Sequence, residues 1–147
     1  MGDTAPKLVG CGIGPMDEWC KLFIKQNRVN IEMRGFVPNE EAKKLIGNSK
    51  ALILPTQWYE GFPMSIVEAF SVGTPVVCSD LGNAGSIIEE GVTGCKFRSD
   101  SVDDLILAVN RCHGLHESTL REYQKKYTSE NNYKTLVDIY AKTERNK

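Results

Sequence analysis

The sequence predicts an α/β domain in which a parallel β-sheet carries helices on both faces. Short apolar runs alternate with amphipathic stretches of helical period from residue 7 to residue 143. Two of the runs, 51–54 and 76–78, are continuously apolar, which is typical of strands covered on both faces of a parallel sheet. Crossover helices join such strands, and ligands bind at the carboxyl ends of the strands.

The first half of the chain contains three predicted strands. Residues 7–10 are a predicted strand that leads into a glycine-rich turn. Residues 29–33 alternate between apolar and polar side chains, which is typical of a strand with one solvent-exposed face. Apolar residues recur at helical spacing over 17–26, which predicts an amphipathic helix. Asn39 can cap a second helix, because acidic residues follow it in the first turn. The third strand, 52–54, is predicted to be buried.

The second half continues the alternation. A helix is predicted to start near Pro63 and to stop at Gly73. Ser101 and Asp104 have the spacing of a capping box, so a helix should begin there. The other predicted elements are a buried strand at 76–78, a short helix at 85–90, a strand at 94–97, and helices at 117–126 and 130–143.

Two carboxylates, Glu60 and Glu68, lie eight positions apart across the start of the helix that follows the strand 52–54. The amides of Met64 and Ser65 would point out of that helix start, where the macrodipole favours negative charge. Carboxylates beside an anion site repel the anion, which is unfavourable unless they accept hydrogen bonds from hydroxyl groups of the same ligand. The segment therefore predicts a phosphorylated, hydroxyl-rich ligand.

The same segment resembles the signature of the group 1 (family 4) retaining glycosyltransferases of GT-B fold, in which two glutamates are separated by seven residues. Further blocks fall in that family's order and roughly its spacing, at residues 9–15, 34–38, 73–77, 91–94 and 132–140. The resemblance covers nearly the whole chain. It implies a Rossmann-like three-layer α/β domain with a parallel sheet, the C-terminal half of such an enzyme without its first strand-helix unit.

The resemblance also implies roles for particular residues. Glu60 would be the catalytic-site carboxylate that binds donor-sugar hydroxyls, and Glu68 would hold the nucleotide ribose. The remaining donor-binding positions that it implies are Gly61, Phe62, Met64 and Ser65 around the helix start, Gly12 and Gly14 beside the phosphates, and Phe36 and Val37 near the base.

By the same resemblance, the full-length enzyme would be a hexosyltransferase that takes a sugar from a nucleotide-diphosphate donor, such as a UDP- or GDP-sugar. It would transfer the sugar with retention to a glycan or lipid-linked acceptor, in polysaccharide or glycoconjugate biosynthesis. No cofactor and no metal are implied. Residues 1–147 are expected to form a single donor-binding domain, with the acceptor held by an absent N-terminal domain, so the chain alone should not transfer sugar.

Two positions depart from the family pattern, and each motif has a simpler explanation. Pro63 stands where glycine is common and would preset the first helical position, and the loop 80–86 lacks the usual paired glycines. The glycine-rich turn can be purely structural, Glu68 can stabilise its helix, and Glu60 can be a surface glutamate. A nucleotide-sugar epimerase or hydrolase, and a non-catalytic nucleotide-binding module, remain open as alternatives.

Composition indicates one compact domain and gives no electrostatic reason to expect nucleic-acid binding. The 147 residues are 41% hydrophobic and 25% charged, with a net charge of -1. No membrane-spanning run or signal peptide is present, which predicts a cytoplasmic protein, and the basic end 142–147 leaves peripheral membrane association of the full-length enzyme open. The five cysteines are expected to be reduced and mostly buried. His113 and His116 lack a ligand set for a metal.

Overall fold

The computed structural model describes residues 6–145, which fall into two compact units, residues 6–44 and residues 45–145. The last two residues of the basic end lie outside the described residues. None of the helices in the described part of the chain is both long and apolar enough to cross a bilayer. The prediction that residues 1–147 serve as one donor-binding domain stays a prediction.

The first unit is built on two parallel strands, β1 (Leu8–Gly10) and β2 (Ile31–Met33), joined by helix α1 (Asp17–Asn27). Helix α2 (Asn39–Gly47) follows and leads into the second unit. Side chains in residues 6–44 are at most half-buried. Two strands and a helix are too few to enclose a core, so this unit leaves much apolar surface exposed.

The second unit is built on a three-stranded parallel sheet with the order β3-β4-β5. Crossover helices connect the strands, and three helices close the chain. In chain order its elements are β3 (Leu52–Leu54), α3 (Met64–Ser71), β4 (Val76–Ser79), α4 (Gly82–Ile87), β5 (Gly94–Phe97), α5 (Val102–Arg111), α6 (His116–Lys126) and α7 (Ser129–Arg145).

The central strand β4 separates two clusters of buried side chains. Val76 and Cys78 pack on one face with Phe70 of α3, whereas Val77 packs on the other face with Ala108 of α5. Successive strand residues point to opposite faces, so a continuous apolar run can fill both clusters. The predicted three-layer α/β architecture with parallel strands is therefore confirmed in this unit.

Two details differ from the sequence predictions. Strand β3 is half-buried rather than buried, because it forms one edge of its sheet. Helix α4 begins at Gly82 instead of residue 85. In the first turn of this helix, Asn83 donates a hydrogen bond to the carbonyl of Gly61 at 2.7 Å.

The thiols of the second unit are buried, as predicted for reduced cysteines. Burial raises the pKa of Cys112 to about 12 and the pKa of Cys78 to about 11. Burial also raises the pKa of Cys95. In contrast, Cys11 of the first unit is exposed. The three buried thiols therefore stay protonated in the fold at pH values where an unfolded chain ionises them.

This difference predicts a loss of stability at high pH. Between the ordinary thiol pKa of 9.0 and the raised pKa of Cys112, the unfolded state releases a proton that the folded state keeps. The free energy of unfolding should therefore fall as pH rises through this window. In Cys112→Ala we expect the free energy of unfolding to decrease less steeply with pH, by about 1 kcal/mol per pH unit, as measured by urea unfolding between pH 9 and 11.

Cys11→Ala, which removes an exposed thiol, is the matched control. An identical alkaline slope in wild type and Cys112→Ala would contradict the prediction.

Candidate functional site

The loop 55–63 connects the carboxyl end of β3 to helix α3, and two side chains from elsewhere in the second unit hold it. The fully buried Ser79, at the end of β4, donates a hydrogen bond from Oγ to the carbonyl of Thr56 at 2.6 Å. Asn83, in the first turn of α4, donates to the carbonyl of Gly61 at 2.7 Å. The loop is therefore fixed near both of its ends.

Glu60 extends from this fixed loop into solvent. Its Oε1 atom accepts a hydrogen bond from Thr56 Oγ1 at 3.2 Å, and the side chain is otherwise exposed. A carboxylate offers about four acceptor positions, so most of its capacity is free. The geometry suits a residue that accepts hydrogen bonds from ligand hydroxyls.

Helix α3 begins directly after the loop. Pro63 has extended backbone angles and is the N-cap, so it precedes the first helical position instead of occupying it. Ile66 donates its N–H to the carbonyl of Pro63 at 3.1 Å, whereas the amides of Met64 and Ser65 precede the first intrahelical bond. No acidic residue stands in the first turn. The helix start therefore combines free N–H groups with the positive end of the macrodipole.

Glu68 is half-buried and stands in the second turn of α3. The macrodipole stabilises carboxylates mainly within the first turn, so helix stabilisation explains this residue poorly. Glu60, Gly61, Phe62, Met64, Ser65 and Glu68 thus share one short segment at the carboxyl edge of the β3-β4-β5 sheet.

The other predicted donor-binding residues belong to the first unit, in the turns that follow β1 and β2. Gly12 has a φ of 132° and donates its N–H to the carbonyl of Gly35 at 2.6 Å. The N–H of Gly14 is bonded to the carboxylate of Asp17 at 3.1 Å. Phe36 is 75% exposed. Val37 beside it is half-buried. The roles of Gly12, Gly14, Phe36 and Val37 toward a ligand stay predictions.

The stretch of chain that contains the second-unit segment carries acidic but no basic side chains. From residue 51 to residue 95 the sequence has no lysine, arginine or histidine, while Glu60, Glu68, Asp80, Glu89 and Glu90 are acidic. Backbone amides are consequently the positive groups that this stretch can offer to an anion. Glu89 and Glu90 form ion pairs with Lys126 and Arg111, so part of this acidic charge is compensated.

Sequence reasoning missed the residues that hold the loop. Thr56 comes soon after β3, and Ser79 ends β4, the neighbouring parallel strand. Small hydroxyl residues at the carboxyl ends of adjacent strands meet at one edge of a sheet, so their positions carried a signal. The contact of Asn83 with Gly61 spans 22 residues and had no comparable signal.

Comparison with known sequences matches most of the chain to one family. The family described as glycosyl transferases group 1 matches residues 3–131. An uncharacterized glycosyltransferase of Methanocaldococcus jannaschii is 30% identical over 145 residues, which is 91% of this chain and 36% of the relative. The lipopolysaccharide 1,6-galactosyltransferase of Salmonella typhimurium is 35% identical over 107 residues, which is 68% of this chain and 29% of the relative.

Solved structures resemble the chain along almost its whole length. A lipopolysaccharide outer core galactosyltransferase in its apo form superposes with a TM-score of 0.76 and 23% identity. The match covers 92% of this chain and 41% of the galactosyltransferase chain. The Anabaena protein HepE in complex with UDP has a TM-score of 0.78 and 16% identity, with the same coverage of 92% and 41%. At such identities the likeness concerns the fold alone. The chain spans between a quarter and a half of the length of these relatives.

Proposed function

This chain belongs to the group 1 glycosyltransferases, and from that premise we propose that it supplies the donor-binding part of a longer enzyme. The enzyme would transfer a sugar from a nucleoside diphosphate to a glycan or lipid-linked acceptor, in polysaccharide or glycoconjugate biosynthesis. Two of the relatives are named for lipopolysaccharide galactosyl transfer, and HepE was solved with UDP and with UDP-glucose. These names support the proposal for the present chain.

One observation carries the proposal: free helix-start amides stand in the same short segment as an anchored, exposed carboxylate. The amides of Met64 and Ser65 can bind phosphate oxygens without any basic side chain. Glu60, whose loop is held by Ser79 and Asn83, can accept hydrogen bonds from sugar hydroxyls. A diphosphate next to a hydroxyl-bearing sugar is the part of a nucleotide sugar at which transfer takes place.

The proposed chemistry assigns each group a separate task. When the bond between the anomeric carbon and the phosphate oxygen breaks, negative charge collects on the departing diphosphate. The amides of Met64 and Ser65 would stabilise that charge, and they are already oriented before the reaction. Glu60 would orient the sugar for transfer with retention, and Glu68 would hold the ribose. The proposal assigns no metal and no cofactor to the site.

The proposal also assigns donor contacts to residues of the first unit. Gly12 and Gly14 would border the phosphates, and the backbone around Phe36 and Val37 would meet the base. Gly61 and Phe62 would line the approach to the helix start. Because UDP and GDP share the diphosphate, we assign the donor only to the class of nucleoside diphosphate sugars.

A titration followed by backbone amide NMR shifts tests the proposal. We expect UDP or GDP to bind with a dissociation constant on the order of 0.1 to 10 mM, since basic phosphate ligands are lacking from residue 51 to residue 95. Shifts should appear at Met64 and Ser65. Glu68→Ala should weaken UDP binding by about 1–3 kcal/mol, because the ribose hydroxyls lose their acceptor. Glu60→Ala should leave UDP binding intact and lower only the affinity for UDP-glucose.

Glu117→Ala is the control, because Glu117 is an exposed glutamate in the first turn of α6. It should change neither affinity. Shifts confined to α5, α6 and α7, or equal UDP affinity in wild type and Glu68→Ala, would place the donor elsewhere and refute the proposal.

A further inference from the structure

The loop 55–63 displays aromatic rings that its own fold does not cover. Trp58 is 80% exposed and Tyr59 is 82% exposed, and they directly precede Glu60. Phe62 is 52% exposed and lies just beyond it. Indole and phenol rings bury large areas when they find a partner, so adjacent exposed rings at a strand end form an unusual surface.

The backbone that carries the rings is held by hydrogen bonds, and the Tyr59 ring has a close neighbour. Trp58 donates its N–H to Thr56 Oγ1 at 3.3 Å, and Ser79 holds the carbonyl of the same threonine. Tyr59 rests against Gly82, where an added Cβ atom would lie only 3.1 Å from Tyr59 Cδ1. The loop backbone is therefore already ordered, which lowers the entropy cost of binding.

The surrounding charge decides which ligand suits these rings. The exposed carboxylate of Glu60 directly follows the rings, and residues 51–95 contain no basic side chain, so an anionic membrane surface or a nucleic acid would meet negative charge beside the rings. A sugar ring is neutral, and its C–H groups can stack on an aromatic face, which carries negative charge density. Its hydroxyls could then donate to Glu60, one residue away from Tyr59.

We propose that Trp58 and Tyr59 form a stacking platform for a sugar ring, with Glu60 accepting hydrogen bonds from the ring hydroxyls. The inference rests on the proposed function and extends it, because the platform is separate from the nucleotide contacts at Met64, Ser65 and Glu68. The ring is either the sugar of the nucleotide donor, in agreement with the role proposed for Glu60, or the terminal sugar of an acceptor glycan, in which case Glu60 binds the acceptor and not the donor sugar.

The test uses Trp58 as its own reporter. The chain has two tryptophans, and Trp19 stacks on Phe23 in the first unit. Trp19→Phe therefore leaves Trp58 as the single indole. In this variant we expect its fluorescence to respond to UDP-glucose but not to UDP, if the ring is the donor sugar. A response to methyl glucoside, methyl galactoside or methyl mannoside in the presence of saturating UDP identifies an acceptor sugar instead. Either response supports the platform.

Affinity measurements in the otherwise unchanged chain complete the test. Trp58→Ala should weaken binding of the responding sugar about five- to twentyfold while UDP affinity stays the same. Tyr133→Ala is the matched control, because Tyr133 is an aromatic residue of α7 that is 69% exposed. It should have no effect. Since Trp58 is largely exposed, its replacement should not disturb folding, which far-UV circular dichroism checks.

The outcomes separate this inference from the proposed function. If UDP binds and depends on Glu68, but no sugar responds to Trp58→Ala or Tyr59→Ala, the platform is refuted and the donor site stands. If sugars respond to Trp58→Ala while UDP does not bind, the platform stands and the donor site is refuted. A Trp58 response to phosphatidylcholine vesicles without any response to sugars would also overturn the platform.

Discussion

Replacement of Gly94 by alanine is expected to destabilise the second unit by about 4 kcal/mol or more. Gly94 begins β5 and is paired with Val76 of β4 in the parallel register. A Cβ atom at this glycine would lie 1.9 Å from the carbonyl oxygen of Val76 and 2.8 Å from its carbonyl carbon. Both are backbone atoms of the central strand, so no side-chain rearrangement can relieve the overlap.

Urea unfolding followed by far-UV circular dichroism measures the effect. Gly91→Ala is the matched control in the preceding turn. Gly91 has a φ of 71°, and no atom lies within 4 Å of an added Cβ, so only backbone strain of about 1–2 kcal/mol applies. If Gly94→Ala lowered the unfolding midpoint no more than Gly91→Ala does, the close approach of β4 and β5 would be wrong.

The sequence could predict the elements of this fold because local signals agree with tertiary packing over most of the chain. Continuous apolar residues at 76–78 indicated a buried strand, and those residues are fully buried. Ser101 was predicted as a cap, and its Oγ accepts the N–H of Asp104 at 3.2 Å. The family resemblance and the GT-B type of α/β fold are confirmed by the comparisons.

The failures have a common physical origin in long-range contacts. Leu52, Ile53 and Leu54 are as apolar as the residues of β4, and nothing in their order says that they form an edge. Gly82 and Asn83 are typical turn residues, yet they begin α4, where Asn83 bonds to Gly61. A sequence pattern records neighbours along the chain, whereas these positions are decided by residues far away in it.

The candidate site could be predicted to the extent that it is contiguous. Glu60, Met64, Ser65 and Glu68 belong to one loop and the helix after it, so their spacing alone placed them together. The residues that fix the loop come from the ends of other elements, and Ser79 is 23 residues from Thr56. The position of the carboxylate was therefore predictable, but its support was not.

Phe70→Ala is expected to cost about 3–5 kcal/mol of the free energy of unfolding. The Phe70 side chain is fully buried on the inner face of α3, and its ring centroid lies 5.7 Å from that of Tyr127. Truncation would leave a cavity between α3 and the sheet, which the surrounding side chains can fill only in part. Urea unfolding measures the loss, with Phe62→Ala as the matched control, since Phe62 is 52% exposed and should cost about 0.5 kcal/mol or less.

The milder variant Phe70→Leu connects this packing to the proposed donor site. Leucine keeps most of the volume and should cost about 1.5 kcal/mol, so the chain stays folded. Because Phe70 holds α3 against the sheet, a looser helix should orient the amides of Met64 and Ser65 less well and weaken UDP binding several-fold in the NMR titration.

Two outcomes would contradict these expectations. Equal losses of stability in Phe70→Ala and Phe62→Ala would show that α3 does not contribute to the core. Unchanged UDP affinity in a measurably destabilised Phe70→Leu would show that the position of the helix start does not limit nucleotide binding.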